Sequence, residues 1–81
     1  MLKIYGSDLC PDCIRCKADL DAAGVPYEYQ SITEDLRSMK EFLKIREESA
    51  AFTAAKENGS IGIPCLISLE GEVSLSWEQY L

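Results

Sequence analysis

Apolar and polar side chains alternate from Leu2 to Tyr5 and the alternation stops at Gly6, which predicts a short strand with one buried face. After Pro11 the period lengthens. Cys13, Cys16, Leu20 and Ala23 recur at steps of three, four and three, one apolar stripe of a helix expected to end at Gly24. Pro11 suits the first helical position, where the missing N–H would have had no partner in any case. The run "VPYEYQSI" predicts a second strand, and strand-helix-strand in so few residues implies a parallel pair joined by a right-handed crossover. Ser31 and Glu34 stand at capping-box spacing before a second helix, with Leu36, Met39, Phe42 and Leu43 as its expected buried face. The pattern blurs from Arg46 to Ser49, where a bend is expected. A further helical stretch then turns Phe52 and Ala55 inward and closes at Asn58-Gly59. "PCLISL" and "EVSL" on either side of Glu70-Gly71 predict an antiparallel hairpin. Ser76 and Gln79 repeat the capping-box spacing ahead of a short final helix, Trp77 to Leu81. Arg37, Lys40 and Lys44 form a basic line at helical spacing, read as a solvated face.

These elements predict one α/β domain over residues 1–81, and 81 residues with 47% hydrophobic content can bury a modest core unaided. The longest nearly apolar run, "IGIPCLISL", is too short and too broken by Gly and Pro to span a bilayer. With no secretory signature at "MLKIYG", a cytoplasmic location is expected. The net charge of −6 argues against nucleic acid or an anionic membrane as partner. Reducing conditions in the cytoplasm disfavour structural disulfides, so the four cysteines point to catalysis or metal binding.

Three of those cysteines lie in "LCPDCIRCK", at positions 10, 13 and 16, and the fourth is Cys65 in "GIPCL". Two successive C-x-x-C steps fit a metal or iron–sulfur loop. One C-x-x-C beside a strand-helix-strand pattern fits thiol–disulfide exchange. On a helix, Cys16 is about 600° of rotation and about 9 Å of rise from Cys10, so the two sulfurs point to different sides and no metal is expected. Cys16 then reads as an ordinary buried thiol. Cys10, just before the first turn, meets unpaired backbone N–H groups and the positive end of the helix dipole, which favour the thiolate, the nucleophilic form. Cys13, one turn on and buried, is placed to resolve a mixed disulfide at Cys10. Asp12 also favours the helix start, but its charge repels a nearby thiolate; that should disfavour the dithiol form and make the protein a stronger reductant.

In this order, "KIYG", "CPDC", "AGVPYEY", "IGIPCLI" and the hairpin around "EGEV" resemble a glutaredoxin over essentially the whole chain. The resemblance implies a thioredoxin fold, a four-stranded mixed sheet flanked by helices, with Pro64 in cis beside Cys10 and Cys13. It implies a monomeric, electron-transporting thiol–disulfide oxidoreductase without a tightly bound cofactor. Its substrates would be protein disulfides or glutathionylated proteins, contacted through Pro11, Asp12, Pro64 and the Ile63 backbone, and its electron donor glutathione or a thioredoxin reductase system. Some relatives of this family bridge an iron–sulfur cluster between two chains, so the alternatives are a metal carrier using Cys10 with Cys13, Cys65 or an external thiol, or a redox-regulated interaction domain without turnover. The chain also departs from the family pattern. Ser7 stands where glutaredoxins carry a glutathione-binding lysine, "SLSWEQ" replaces a Gly-Gly-x-Asp segment, and Asp12 replaces a tyrosine. A poor glutathione site is therefore expected, improved by Ser7→Lys.

Overall fold

The structure is a computed structural model that describes residues 1–81. Strand β1 (Leu2–Gly6) is followed by helix α1 (Pro11–Ala22), strand β2 (Tyr27–Ser31), helix α2 (Leu36–Glu48) and helix α3 (Thr53–Glu57). A hairpin of β3 (Cys65–Ile67) and β4 (Val73–Ser74) and a 3-10 turn (Glu78–Tyr80) complete the chain. The four strands lie in the order β2-β1-β3-β4. β1 pairs in parallel with β2, from Leu2 opposite Tyr27 to Gly6 opposite Ser31, and antiparallel with β3, where Tyr5 faces Cys65. This is the thioredoxin-like fold expected, with its mixed sheet and flanking helices. No helix is long and apolar enough to cross a membrane.

Successive side chains of a strand point to opposite faces of the sheet, so β1 feeds two cores. Leu2 and Ile4 pack with Cys16, Leu20 and Leu66 on the α1 side, where burial of each large aliphatic side chain contributes about 1.5–3 kcal/mol. Tyr5 packs with Ile32, Phe42, Phe52 and Cys65 on the side of α2 and α3. The stripe predicted for α1 is buried through Cys13, Cys16 and Leu20 but not at Ala23, because the helix has already ended there. Val25 N–H reaches Leu20 O at 2.9 Å and Gly24 N–H reaches Asp21 O at 3.1 Å, a paired closure that turns the chain toward β2. The bend after Arg46, the inward Phe52 and Ala55, the helix end at Asn58-Gly59 and the hairpin form where the pattern placed them. Arg37, Lys40 and Lys44 are exposed.

Both capping-box expectations are corrected. The cap of α2 is Asp35, whose carboxylate accepts from Arg37 N–H at 3.3 Å and from the Ser38 hydroxyl at 2.8 Å. Ser31 Oγ does accept from Glu34 N–H, but this shapes a turn ahead of the helix. A charged acceptor with two donors outweighs a lone serine, and the start it sets turns Ser38 and Phe42 to the sheet. Leu36 and Leu43 are left 67% and 52% exposed, contrary to the expected inward face. At the C-terminus Ser76 caps nothing; Ser74 Oγ accepts from Ser76 N–H and from the Gln79 amide, and the final helix shrinks to the 3-10 turn. Trp77 anchors that turn by donating Nε1–H to Asp19 at 2.9 Å on α1.

Candidate active site

Cys10 is the N-cap of α1, held extended at φ −103° and ψ 118°, with Pro11 next as the first helical residue. Its carbonyl accepts from Cys13 N–H at 3.1 Å and Ile14 N–H at 3.2 Å, so the backbone of the first turn is occupied in positioning the cysteine. The sulfur takes no hydrogen bond from that turn; it is partly exposed and faces the Ile63 carbonyl oxygen, 4.0 Å away. The Ile63–Pro64 peptide is cis, and Pro64 itself is buried. Cys10 and Ile63, two of the residues singled out in the sequence, thus meet at one opening. Pro11 and Asp12 are exposed on the helix top, where Asp12 pairs with Arg15 at 3.0 Å.

Cys13 lies one turn below with no solvent exposure, and burial, opposed by the Ser7 backbone and reinforced by Cys10, pushes its thiol up to about 12. Burial likewise raises Cys16 to about 11 and Cys65 to about 12. Those two do not come together, since Cys16 belongs to the core on the α1 side and Cys65 to the core on the opposite face. A four-cysteine cage built from 10, 13, 16 and 65 is thereby excluded by the sheet between them.

Cys10 itself lines a cavity of about 400 Å³, together with seven other hydrophobic residues, Ser7 and Thr33. Leu9, Met39, Leu43, Ile61 and Ile63 form its apolar wall, and no charged side chain belongs to it. Helical spacing does not reveal this groove: it assigns Met39 and Leu43 alike to the core, where Met39 does pack while Leu43 does not, and it gives Leu9 and Ile61 no role. Their signal was available, since Leu9 in "SDLC" and Ile61 in "SIGIP" are apolar residues in polar loops, and they are 85% and 57% exposed. Ser7 is buried and serves the loop, bonding Thr33 Oγ1 at 2.8 Å and accepting from Leu9 N–H at 3.1 Å. Replacing it with lysine would lose both bonds, so that substitution is expected to loosen the Cys10 loop rather than complete an anion site. Outside the groove, on the α1 side of the sheet, Tyr29 lies under Lys17, which pairs with Asp8; the sequence pattern distinguishes none of the three.

A family model described as glutaredoxin matches residues 2–70. An uncharacterized protein of Haemophilus influenzae is 38% identical over 72 residues, covering 89% of this chain and 84% of its own length. No solved structure matches.

Proposed function

The chain belongs to the glutaredoxin family, and from that premise we propose that it is a thiol–disulfide oxidoreductase acting through the Cys10–Cys13 dithiol on protein disulfides, with glutathionylated proteins as secondary substrates. The observation that carries this reading is the contrast between a partly exposed Cys10 at a helix start and a fully buried Cys13 one turn away. The exposed thiolate attacks a substrate disulfide, forming a Cys10 mixed disulfide and expelling one substrate thiolate, which takes up a proton. Cys13 then attacks Cys10, the second substrate sulfur leaves as thiolate and is protonated, and the dithiol has given its two electrons to the substrate. Glutathione or a thioredoxin reductase system restores the dithiol.

Protein substrates are preferred because the groove that meets the reacting sulfur is apolar. Glutathione carries carboxylates at both ends, and neither the groove nor a net charge of −6 favours them. An apolar side chain next to a substrate cysteine fits better, with the Ile63 backbone beside the substrate strand. A reducing compartment suits four free thiols.

Cys10→Ser is expected to abolish reduction of a disulfide-bonded protein such as insulin. Cys13→Ser should accumulate mixed disulfides that mass spectrometry detects, and should keep part of the activity on glutathionylated substrates, which need one thiol only. Equal and complete loss in both variants would overturn the assignment of nucleophile and resolving thiol.

A further inference from the structure

Gly6 ends β1 directly beneath the active-site loop, and a Cβ placed there would lie 2.9 Å from Tyr29 Oη and 3.0 Å from Cys13 Sγ. One carbon would touch both atoms, so the glycine keeps open the gap that separates them. Tyr29 Oη is buried in this gap and has no hydrogen-bond partner. Buried hydroxyls without partners are rare and costly, and removing the group entirely would spare that cost.

The charged and titratable groups around the phenol come from three directions. Lys17 on α1 holds its ammonium 4.0 Å from the ring centroid and is tied at 2.6 Å to the carboxylate of Asp8 in the loop after β1. Cys13 on α1 and Cys10 at its N-cap complete the set. Burial, then Cys13 and the nearby Asp8 carboxylate, which approaches the hydroxyl without reaching hydrogen-bond geometry and is itself tied to Lys17, hold the phenol well above its ordinary range, so at neutral pH it keeps its proton and can donate. The thiol next to it needs one: Cys13 must become a thiolate in surroundings that disfavour charge.

We propose that the Tyr29 hydroxyl donates a hydrogen bond to the Cys13 sulfur as that sulfur becomes a thiolate and attacks the Cys10 mixed disulfide. This rests on the dithiol reading of the site. In the step the Cys13–Cys10 sulfur bond forms and the bond from Cys10 to the substrate sulfur breaks. Cys13 is oxidised, the substrate sulfur leaves with the electron pair, and the proton lost by Cys13 ends on that leaving thiolate. Tyr29 keeps its own proton throughout. Its unpartnered state in the reduced protein is then a donor held ready for a charge that exists only during resolution.

Tyr29→Phe removes the hydroxyl and leaves the ring under Lys17. Reduced protein mixed with excess dithiobis(nitrobenzoate) releases one coloured thiolate when Cys10 attacks and a second when Cys13 displaces the first adduct, so stopped-flow absorbance separates the two steps. In Tyr29→Phe the first release should be unchanged and the second about tenfold slower, the scale of one hydrogen bond to a charged group. The pH at which the second release accelerates should also move upward. A second release with unchanged rate and pH profile overturns the proposal, and so does equal slowing of both releases, which marks a merely structural role. Absence of any first release from the wild-type protein would overturn the dithiol reading and this proposal with it.

Discussion

Asp12 and Arg15 stand one turn apart on the solvent side of α1 and share a single 3.0 Å contact, with both side chains more than half exposed. Alone, the Asp12 carboxylate would repel a Cys10 thiolate; beside Arg15 it belongs to a nearly neutral pair, and the repulsion is largely offset. The expectation of a stronger reductant therefore passes from Asp12 to its partner. Arg15→Ala leaves the carboxylate uncompensated, disfavours the thiolate and hence the dithiol, and should lower the reduction potential, by at most about 30 mV for a tenfold change in this two-electron couple. Asp12→Asn should shift it less, and upward. Equilibration of both variants with a glutathione redox series reads the sign directly, and a rise in potential for Arg15→Ala contradicts the account.

Two elements meet at the groove, and each can be altered without touching a cysteine. Leu43 projects from α2 into the groove while remaining 52% exposed, so Leu43→Glu should leave the unfolding midpoint nearly unchanged yet raise the KM for a protein disulfide severalfold, since a charge there has no partner. Loss of activity through kcat alone would show that Leu43 is not a substrate contact. Across the opening, the segment before Pro64 is fastened by Arg46, which donates to Ser60 O at 2.9 Å and Ile61 O at 2.8 Å. Gly62 in the same segment sits at φ 93°, and a Cβ there would fall 2.6 Å from the Phe52 ring. Gly62→Ala combines a disfavoured backbone with a collision in the core, and should cost about 2–4 kcal/mol in denaturant unfolding. Because Ile63 follows directly, the activity retained by the folded fraction should fall as well.

The whole molecule answers to pH through its buried thiols. Cys13, Cys16 and Cys65 are all raised from 9.0, to about 12, 11 and 12, by burial first, and Tyr5 rises from 10.0 to about 12 by burial and its hydrogen bond to Glu41. A group whose folded value is raised gives its full stability below the unfolded value and loses it as pH climbs toward the folded one. The reduced protein should therefore be stable and flat with pH up to about 8, then lose stability steadily between about 9 and 12. Urea unfolding monitored by Trp77 fluorescence at several pH values tests this, and a midpoint that stays constant to pH 11 would refute it.

Periodicity alone determined the element order, the parallel first pair, the hairpin and the depth of Cys13 and Cys16, because alternation and the helical stripe record local geometry that packing has only to accept. The two-cysteine turn was legible for the same reason: Cys10, Pro11 and Cys13 are neighbours in the chain. What the pattern mistook lay where neighbours in space decide. The pattern passed over Asp35 as the local cap of α2, and the packing of Ser38 and Phe42 against the sheet, with Ser38 bonded to Gln30 on β2, leaves Leu43 outside the core and beside Cys10. The groove joins Leu9, the α2 residues Met39 and Leu43, and Ile61 from three separate stretches, and no local spacing signals a wall shared among them. Tyr29 and Gly6 tell the same story at closer range. A tyrosine in a strand and a glycine at its neighbour's end are unremarkable in sequence; only the parallel pairing of β1 with β2, with α1 packed across them, sets the hydroxyl in the space the glycine leaves beneath Cys13.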